Sequence, residues 1–324
     1  MRRFLAFAKI LCYTAHTKEY KEVDVFVSEL FLKPSIASAY YKDRSPEEMV
    51  RLFLEAGFFH TELAYEHTEC LTKRAEEKGE SLEKIGRDFR RYFEDLGFSV
   101  PQAHLSFLPG ILTDGMADVL KRQIVLFDAL GVQNAVLHLS GDGEADDEAR
   151  HQKILPILSE LVSFAEGSGV CLCIENLYKN TDTVTVEGIL RYLDETPSEH
   201  LGICLDTGHL HLANARGLCT QSQRDFILRA GNRLKALHIA NNDGSRDQHL
   251  LPFNGSRSIH WDEVLAALRQ IGYQGIFNLE IGGETSTITC PFAVKELKIR
   301  YIRELMSYML GPEFAVWTGN RPTN

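Results

Sequence analysis

The sequence contains no apolar run of the roughly 18 residues that a membrane span needs, so we predict no membrane segment. Its first residues, MRRFLAFAKILCYTA, join a basic pair to an apolar stretch, but Lys9 interrupts that stretch and no small-residue cleavage site follows. A surface extension is therefore favoured over a signal peptide. The seven cysteines include no CxxC pair. We expect a reducing, cytoplasmic compartment, in which free cysteines act as small apolar side chains.

The chain also lacks an excess of positive charge. Its 35 Lys and Arg residues are outnumbered by 45 Asp and Glu residues, which gives a net charge of −10. This composition provides no general positive field for nucleic acid, although a local basic groove would be compatible with it. No Gly/Ser-rich or Pro-rich linker divides the chain. We therefore predict a single domain over residues 33–310, with an N-terminal extension (1–32) and a C-terminal tail (311–324).

What the sequence does contain is a regular alternation of short apolar runs and longer amphipathic stretches, which is typical of parallel strands joined by helices. Eight strands are predicted at 34–39, 59–63, 102–106, 135–139, 171–175, 203–206, 236–240 and 277–281. Eight helices are predicted at 46–56, 81–96, 116–130, 148–166, 186–193, 223–230, 261–271 and 295–309. This pattern predicts an α/β fold, a (β/α)8 TIM barrel. An open doubly wound sheet is the alternative, but the chain has no GxGxxG loop after its first strand.

Side chains that can bind metal lie near the carboxyl ends of six consecutive predicted strands: His104, His138, Glu175, Asp206, His238 and Glu280. His209 follows Asp206 in a predicted Asp-Thr-Gly-His turn, and the loop after His238 adds Asp247 and His249. An ionisable side chain inside a buried strand costs several kcal/mol unless it is paired or coordinated. Because the strand ends of a barrel share one face, we expect a common site. Imidazole and carboxylate ligands together suit Zn, Mn, Co or Fe.

Four further histidines are predicted to lie outside this site, and two are left open. His16, His151 and His200 occur in polar contexts and are predicted to be solvated. His60 falls at the opposite end of its strand. His67 and His211 fall near the active face and are left open. Glu62, near the end of the second strand, either lines the pocket or has a structural role.

Five segments carry a resemblance to a known family: AVLHLSG, CLCIENL, LGICLDTGHLHLAN, LKALHIANNDGSRDQHLLP and SIHWDEVLAALRQIGYQGIFNLEI. The chain resembles the xylose isomerase-like TIM-barrel superfamily from about residue 33 to residue 309. That superfamily includes sugar and sugar phosphate isomerases and epimerases, and AP endonucleases of the endonuclease IV type.

The resemblance implies Glu175, Asp206, His238 and Glu280 as core metal ligands, with His209 as a further ligand or a substrate contact. It also implies extra ligands that match the three-zinc cluster of the endonuclease branch: His104, His138, Asp247 and His249. The implied cofactor is a divalent metal (Zn, Mn or Co), with one to three ions per chain.

The implied activity is isomerisation or epimerisation of a sugar, sugar phosphate or cyclitol through an enediolate. Glu175 and Glu280 would exchange the proton, and His209 would hydrogen-bond a substrate hydroxyl. A zinc-dependent AP endonuclease and a non-catalytic metal- or sugar-binding barrel are the alternatives. The substrate class stays open because Pro252-Phe-Asn-Gly255 departs from the family's P-G-x-G and His249 stands where related epimerases carry an arginine. The expected partner is a sugar-like small molecule, and a homo-oligomer is compatible with the sequence.

Overall fold

The structure is a computed structural model that describes residues 7–14, 19–26, 32–140, 146–179, 182–254, 259–284 and 290–311. The predictions about His16 and about the tail from Pro312 onward lie outside these residues. Within the predicted N-terminal extension, β1 (Phe7–Thr14) and β2 (Glu19–Phe26) pair as a separate antiparallel sheet.

The predicted barrel is present. Its eight strands are parallel neighbours, and they follow the chain order around the sheet. They are β3 (Lys33–Ala37), β4 (His60–Leu63), β5 (Ser99–His104), β6 (Asn134–Leu137), β7 (Cys171–Glu175), β8 (Leu201–Asp206), β9 (Leu234–His238) and β10 (Ile276–Leu279).

An isolated parallel bridge between Ile239 and Leu279 joins β9 to β10 and closes the barrel. The backbone N–H of Ile239 donates to the carbonyl of Asn278 at 2.8 Å, and the N–H of Glu280 donates to the carbonyl of Ile239 at 3.1 Å. These hydrogen bonds lie next to His238 and Glu280. The closing bridge and two of the predicted site residues therefore occupy the same part of the barrel.

Several observed strands begin earlier than the sequence predicts. The third predicted strand starts at residue 102, whereas β5 begins at Ser99, which pairs with His60 of β4. The predicted strand covers only the carboxyl half of β5 and the residues beyond it. The amino-terminal half, Ser99 to Pro101, joins its neighbouring strands through backbone hydrogen bonds, such as that from the Ser99 N–H to the Phe59 carbonyl at 3.0 Å, and local side-chain patterning does not detect these.

Ten helices are described, two more than the sequence predicts. They are α1 (Pro46–Glu55), α2 (Tyr65–Lys78), α3 (Leu82–Asp95), α4 (Met116–Leu130), α5 (Asp147–Ala165), α6 (Val186–Glu195), α7 (Thr207–Ala215), α8 (Gln223–Ala230), α9 (Trp261–Gln270) and α10 (Phe292–Leu310). The additional helices are α2 and α7. Helix α2 escapes prediction because its sequence, YEHTECLTKRAEEK, is strongly polar and only Leu71 and Ala75 bury apolar side chains.

Local capping shows why the helices begin where they do. Helix α1 begins with a capping box, in which Ser45 Oγ accepts from the Glu48 N–H at 3.2 Å and the Glu48 carboxylate accepts from the Ser45 N–H at 3.2 Å. Pro46 occupies the first helical position, where its missing N–H costs nothing. Among the described helices, none combines the length and the apolar character that crossing a bilayer requires.

Candidate metal centre

The predicted site residues converge at the carboxyl end of the barrel. His104, Glu175, Asp206 and His238 are the last residues of their strands, and His138 and Glu280 directly follow theirs. Because the strands are parallel and in sequential order, these ends meet around one opening. The structure brings all nine predicted ligands into three adjoining groups.

The first group, here called the central cluster, consists of Glu175, Asp206, His238 and Glu280. Each residue offers one ligand atom, and these atoms lie within 4.8 Å of one another. Nδ1 of His238 lies 3.2 Å from Glu175 Oε1, 3.2 Å from Glu280 Oε2 and 4.0 Å from Asp206 Oδ2. Three carboxylates therefore face one ring nitrogen in a nearly solvent-free space.

The donor atoms of the central cluster fit a divalent cation. Asp206 Oδ2, His238 Nδ1 and Glu280 Oε2 are buried and have no hydrogen-bond partner among the described residues. A buried polar atom without a partner costs about 1–3 kcal/mol, and more when it is charged. Three such atoms within reach of one another indicate a site built for a positive ion. The mixed oxygen and nitrogen set suits Zn, Mn or Co.

The second group extends the central cluster toward β5 and β6. His138 Nε2 lies 2.7 Å from Glu175 Oε2, and His104 Nε2 lies 3.5 Å from the same oxygen. Glu175 is therefore shared between the central cluster and this pair of imidazoles. A second ion could be held by His104, His138 and Glu175.

The third group lies on the other side of Glu175. Asp247 Oδ2 is 3.3 Å from His209 Nε2 and 2.9 Å from His249 Nε2. His209 Nδ1 is 3.2 Å from Glu175 Oε1, which joins this group to the central cluster. His249 adopts a left-handed φ of 47°, which is unfavourable for a residue with a Cβ. The strained backbone directs the imidazole toward Asp247 and Glu280.

Local structure positions His209 differently from the prediction. The predicted Asp-Thr-Gly-His turn is the first turn of α7, with Asp206 as its N-cap. Asp206 Oδ1 accepts from the His209 N–H at 2.6 Å, while its second oxygen faces the central cluster. The prediction of a turn was wrong because Asp206 ends a strand and starts a helix without any intervening loop. One carboxylate thus fixes the helix start and also faces the centre.

Charge interactions at the site shift several pKa values. Burial is the main cause that raises the pKa of Asp206 to about 7. His209 acts to lower this pKa, but the Glu280 and Glu175 carboxylates raise it further. Burial acts to lower the pKa of His249, but Glu280 and Asp247 raise it to about 10. Burial also acts to raise the pKa of Glu175, but the His238 and His138 imidazoles lower it well below 4.5. The carboxylates therefore depend on nearby positive charge.

Two buried side chains behind the central cluster were not predicted as site residues. Glu62 on β4 approaches His238 from inside the barrel, with Glu62 Oε2 2.7 Å from His238 Nε2. Gln102 on β5 donates from Nε2 to the same Glu62 oxygen and to the carbonyl of Leu237. Glu62 was left open from the sequence because nothing there shows which residue its carboxylate meets.

Aromatic rings border the opening. Phe107 lies 5.0 Å from the His138 ring and 5.5 Å from the His104 ring, centroid to centroid. Tyr178 lies 4.8 Å from the His209 ring. These rings give the polar centre partly apolar walls, as small-molecule sites usually have. Each residue lies three positions after a strand end, Phe107 after His104 and Tyr178 after Glu175, and this closeness to a strand end could have marked them in the sequence.

A separate cluster of charged residues, here called the α5–α6 network, lies between those helices and includes Arg150, His151, Asp182, Tyr192 and Glu195. His151 is fully buried, so the prediction that it is solvated was wrong. Its Nε2 lies 2.8 Å from Glu195 Oε2, and Tyr192 donates its hydroxyl to Asp182 Oδ2 at 2.6 Å. The polar sequence around His151 hid these partners, which follow it by 31 to 44 residues.

Three further histidines, His60, His67 and His200, have structural contacts. His67, left open from the sequence, is buried against Ser38 Oγ at 2.9 Å and the Arg44 carbonyl at 3.2 Å. His200, predicted to be solvated, is half-buried with its Nδ1 2.9 Å from the Val170 carbonyl. His60 lies at the amino end of β4, as predicted, with Nδ1 2.8 Å from Ser99 Oγ.

Comparison with known proteins relates this geometry to sugar epimerases. A D-psicose 3-epimerase from Enterocloster bolteae is 32% identical over 137 residues, which cover 42% of this chain and 41% of that protein. The chain spans about half the length, or less, of the curated relatives that it matches.

Solved structures share the fold. A D-psicose 3-epimerase crystallised in the presence of D-fructose superposes with a TM-score of 0.68 at 17% identity, covering 86% of this chain and all of that one. An IolI protein with a bound zinc atom gives 0.67 at 20% identity, covering 86% of this chain and 99% of that one. The family model described as xylose isomerase-like TIM barrel matches residues 50–305. The chain therefore belongs to the xylose isomerase-like TIM barrel family, which confirms the resemblance drawn from its motifs.

Proposed function

We propose that this chain is a metal-dependent epimerase or isomerase of a sugar or a related polyol, and that it works through an enediolate. The observation that carries the proposal is the placement of two carboxylates, Glu175 and Glu280, each 3.2 Å from His238 Nδ1. Their strands β7 and β10 are separated by β8 and β9, so the two acids approach the centre from different directions.

Glu175, Asp206, His238 and Glu280 are the residues that would hold the cation. When bound, a divalent cation supplies Lewis-acid polarisation of a substrate carbonyl and stabilises the negative charge of an enediolate. The Asn176 carbonyl holds His209 through Nδ1, and Nε2 would hydrogen-bond a substrate hydroxyl by exchanging its longer contact with Asp247, 3.3 Å. These residues orient the substrate so that its carbonyl carbon and the neighbouring C–H face the two acids.

The proton transfer itself falls to the two glutamates. One carboxylate takes the proton from the carbon next to the carbonyl, and the electron pair of the C–H bond becomes the C=C bond of the enediolate. The other glutamate returns a proton to the opposite face of the same carbon, which inverts that centre. Removal of a proton from C1 of a 2-ketose and its return to C2 would instead convert the ketose to an aldose. Similarity to a D-psicose 3-epimerase and to a fructoselysine 3-epimerase favours the first outcome.

The decisive experiment compares variants on a panel of free ketohexoses in D2O. We expect the metal-loaded wild type to exchange one carbon-bound proton for deuterium, as followed by NMR, and to produce the epimer. Glu175→Gln and Glu280→Gln should each lower the rate by about 10²–10⁴-fold, the usual contribution of a proton-transfer group. Glu195→Gln is the matched control, because it changes a histidine-bound glutamate outside the site. Wild-type rates in either site variant would refute these roles.

A second activity is favoured by the two groups that flank the central cluster. His104, His138 and Glu175 on one side and His209, Asp247 and His249 on the other could hold two further ions. Three zinc ions would suit phosphodiester hydrolysis at abasic DNA. Metal analysis decides between the two activities, since three ions per chain and nicking of an abasic duplex would support the nuclease. One ion and no nicking would remove it. The cytoplasmic location stays a prediction.

A further inference from the structure

Glu62 lies behind the metal centre, inside the barrel, and it is among the most deeply buried carboxylates of the described chain. Its exposed fraction is 1%, and that of Gln102 is also 1%. A buried carboxylate is costly unless it is paired or hydrogen-bonded. Glu62 reaches from β4 across the interior of the barrel to His238 on β9, a contact between residues 176 positions apart.

The contact defines which nitrogen of His238 carries a proton. Glu62 Oε2 accepts a hydrogen bond from the side-chain amide of Gln102, so this oxygen acts as an acceptor. The Nε2 atom of His238 lies 2.7 Å from the same oxygen and is placed to donate to it. With the proton held at Nε2, the lone pair of Nδ1 points toward Glu175 and Glu280. That is the form of the ring that binds a cation.

We infer that Glu62 is a positioning residue, which fixes the tautomer and the ring orientation of His238 for metal binding, with Gln102 holding Glu62 in place. The inference rests on the proposed metal dependence. Carboxylates that accept from the distal nitrogen of a metal-binding histidine are a general means of raising its affinity for the ion. Gln102 also donates to the carbonyl of Leu237, the residue before His238, at 3.3 Å. The pair therefore holds both the ring and the backbone of the ligand.

The first test needs no substitution. Long-range proton–nitrogen NMR spectra of the zinc-loaded wild type should show His238 with a protonated Nε2 and an unprotonated Nδ1, with the signals assigned through a His238→Asn sample. A zinc-loaded protein whose His238 is protonated at Nδ1 would overturn the inference. A wild type that binds no zinc would instead refute the metal dependence itself, so the two failures are distinguishable.

The second test measures metal affinity by competition with a chromophoric chelator. Glu62→Leu removes the acceptor, and we expect zinc to bind about 10- to 100-fold more weakly. Glu62→Gln keeps an oxygen that can accept from His238, so it should recover most of that loss. Glu195→Gln provides a matched control, because Glu195 lies 2.8 Å from the Nε2 of His151, a histidine outside the metal centre. Its zinc affinity should equal that of the wild type.

The pattern among these variants separates positioning from general destabilisation. If Glu62→Leu does not fold, Glu62→Gln and the wild-type NMR spectrum still test the inference. The visible spectrum of the cobalt-loaded protein should change in Glu62→Leu and stay unchanged in Glu195→Gln, even where both unfold at lower temperature. Wild-type zinc affinity and an unchanged cobalt spectrum in Glu62→Leu would overturn the role of Glu62.

Discussion

The central cluster and the α5–α6 network are built from the same kinds of residue, but their carboxylates differ in whether they have hydrogen-bond donors. In the network, Asp182 accepts from the Tyr192 hydroxyl at 2.6 Å and lies 3.4 Å from Arg150. In the central cluster, Asp206 Oδ2 and Glu280 Oε2 have no donor among the described residues. A network whose acids meet donors stabilises the fold by itself. A cluster whose acids face one another would be stabilised by a bound cation.

The largest expected effect that tests this comparison is stabilisation by metal. A ligand that binds only the folded state stabilises it by about 4 kcal/mol at a free concentration 1,000 times its Kd. We therefore expect a chelator to lower the free energy of unfolding by an amount of that order relative to zinc-saturated protein. Urea unfolding with and without zinc measures the difference.

Two matched aspartate variants test which residues are responsible for the zinc-dependent increase in the free energy of unfolding. Asp206→Asn should lose the zinc-dependent gain, because it removes one charged ligand atom from the central cluster. Asp182→Asn, outside the cluster, should keep the gain in full. If Asp206→Asn retained the zinc-dependent stabilisation, the central cluster would not be where the ion binds.

The second effect concerns Asp182 itself. Replacing it with asparagine removes one carboxylate from the buried Arg150 and His151. Arg150 keeps its contact with Asp147, and His151 keeps its contact with Glu195. Breaking a buried ion pair completely costs about 3 kcal/mol, so we expect a smaller loss here, about 2 kcal/mol. We expect that loss of unfolding free energy both with and without zinc. A loss that zinc abolished would mean that the α5–α6 network and the metal centre are coupled, which the comparison does not predict.

A smaller effect is expected from Tyr192→Phe. This change removes only the hydroxyl that donates to Asp182, and a hydrogen bond to a charged group contributes about 1.5 kcal/mol. The ring keeps its packing against His151, whose centroid is 4.2 Å away. Urea unfolding should show a loss near that size and an unchanged m-value. No loss at all would show that Asp182 finds another donor.

The last expected effect appears only at acid pH and lies at the opposite end of the barrel, at His60. Burial, aided by Lys33, lowers the pKa of His60 to about 4, below the 6.5 of an unfolded histidine. The folded state therefore binds fewer protons between these values, so this stabilising contribution is present above pH 6.5 and is lost as pH falls toward 4. His60→Asn should weaken the decline of stability between pH 7 and pH 4.5. Unfolding curves that decline equally in both proteins would contradict this assignment.

The sequence predicted the features that depend on strand direction. Because parallel barrel strands all point the same way, a polar residue at the end of each apolar run predicts a shared opening, and Glu175, Asp206 and His238 do meet there. The ligand roles of these residues stay predictions. The family was predictable too, since its motifs surround those strand ends.

The features that depend on distant partners were not predictable. His151 was assigned to solvent because its neighbours in sequence are polar, yet Glu195 lies 44 residues away and covers it. Glu62 gave no sign of its contact with His238, since the two strands meet only across the barrel interior. Helix α7 was missed because Asp206 serves as both strand end and helix cap. In each case one side chain takes its role from a residue that local patterning cannot indicate.

The bridge between Ile239 and Leu279 has a mechanical consequence. This single bridge is the shortest strand pairing in the described barrel. His238 adjoins one of its two residues and Glu280 adjoins the other. An ion bound by both side chains would link β9 to β10 at this bridge. Without the ion, we expect these two strands to separate more readily than the other strand pairs of the barrel. The amide hydrogens of Ile239 and Glu280 form the hydrogen bonds between these strands. Their exchange rates should therefore report whether the ion is bound.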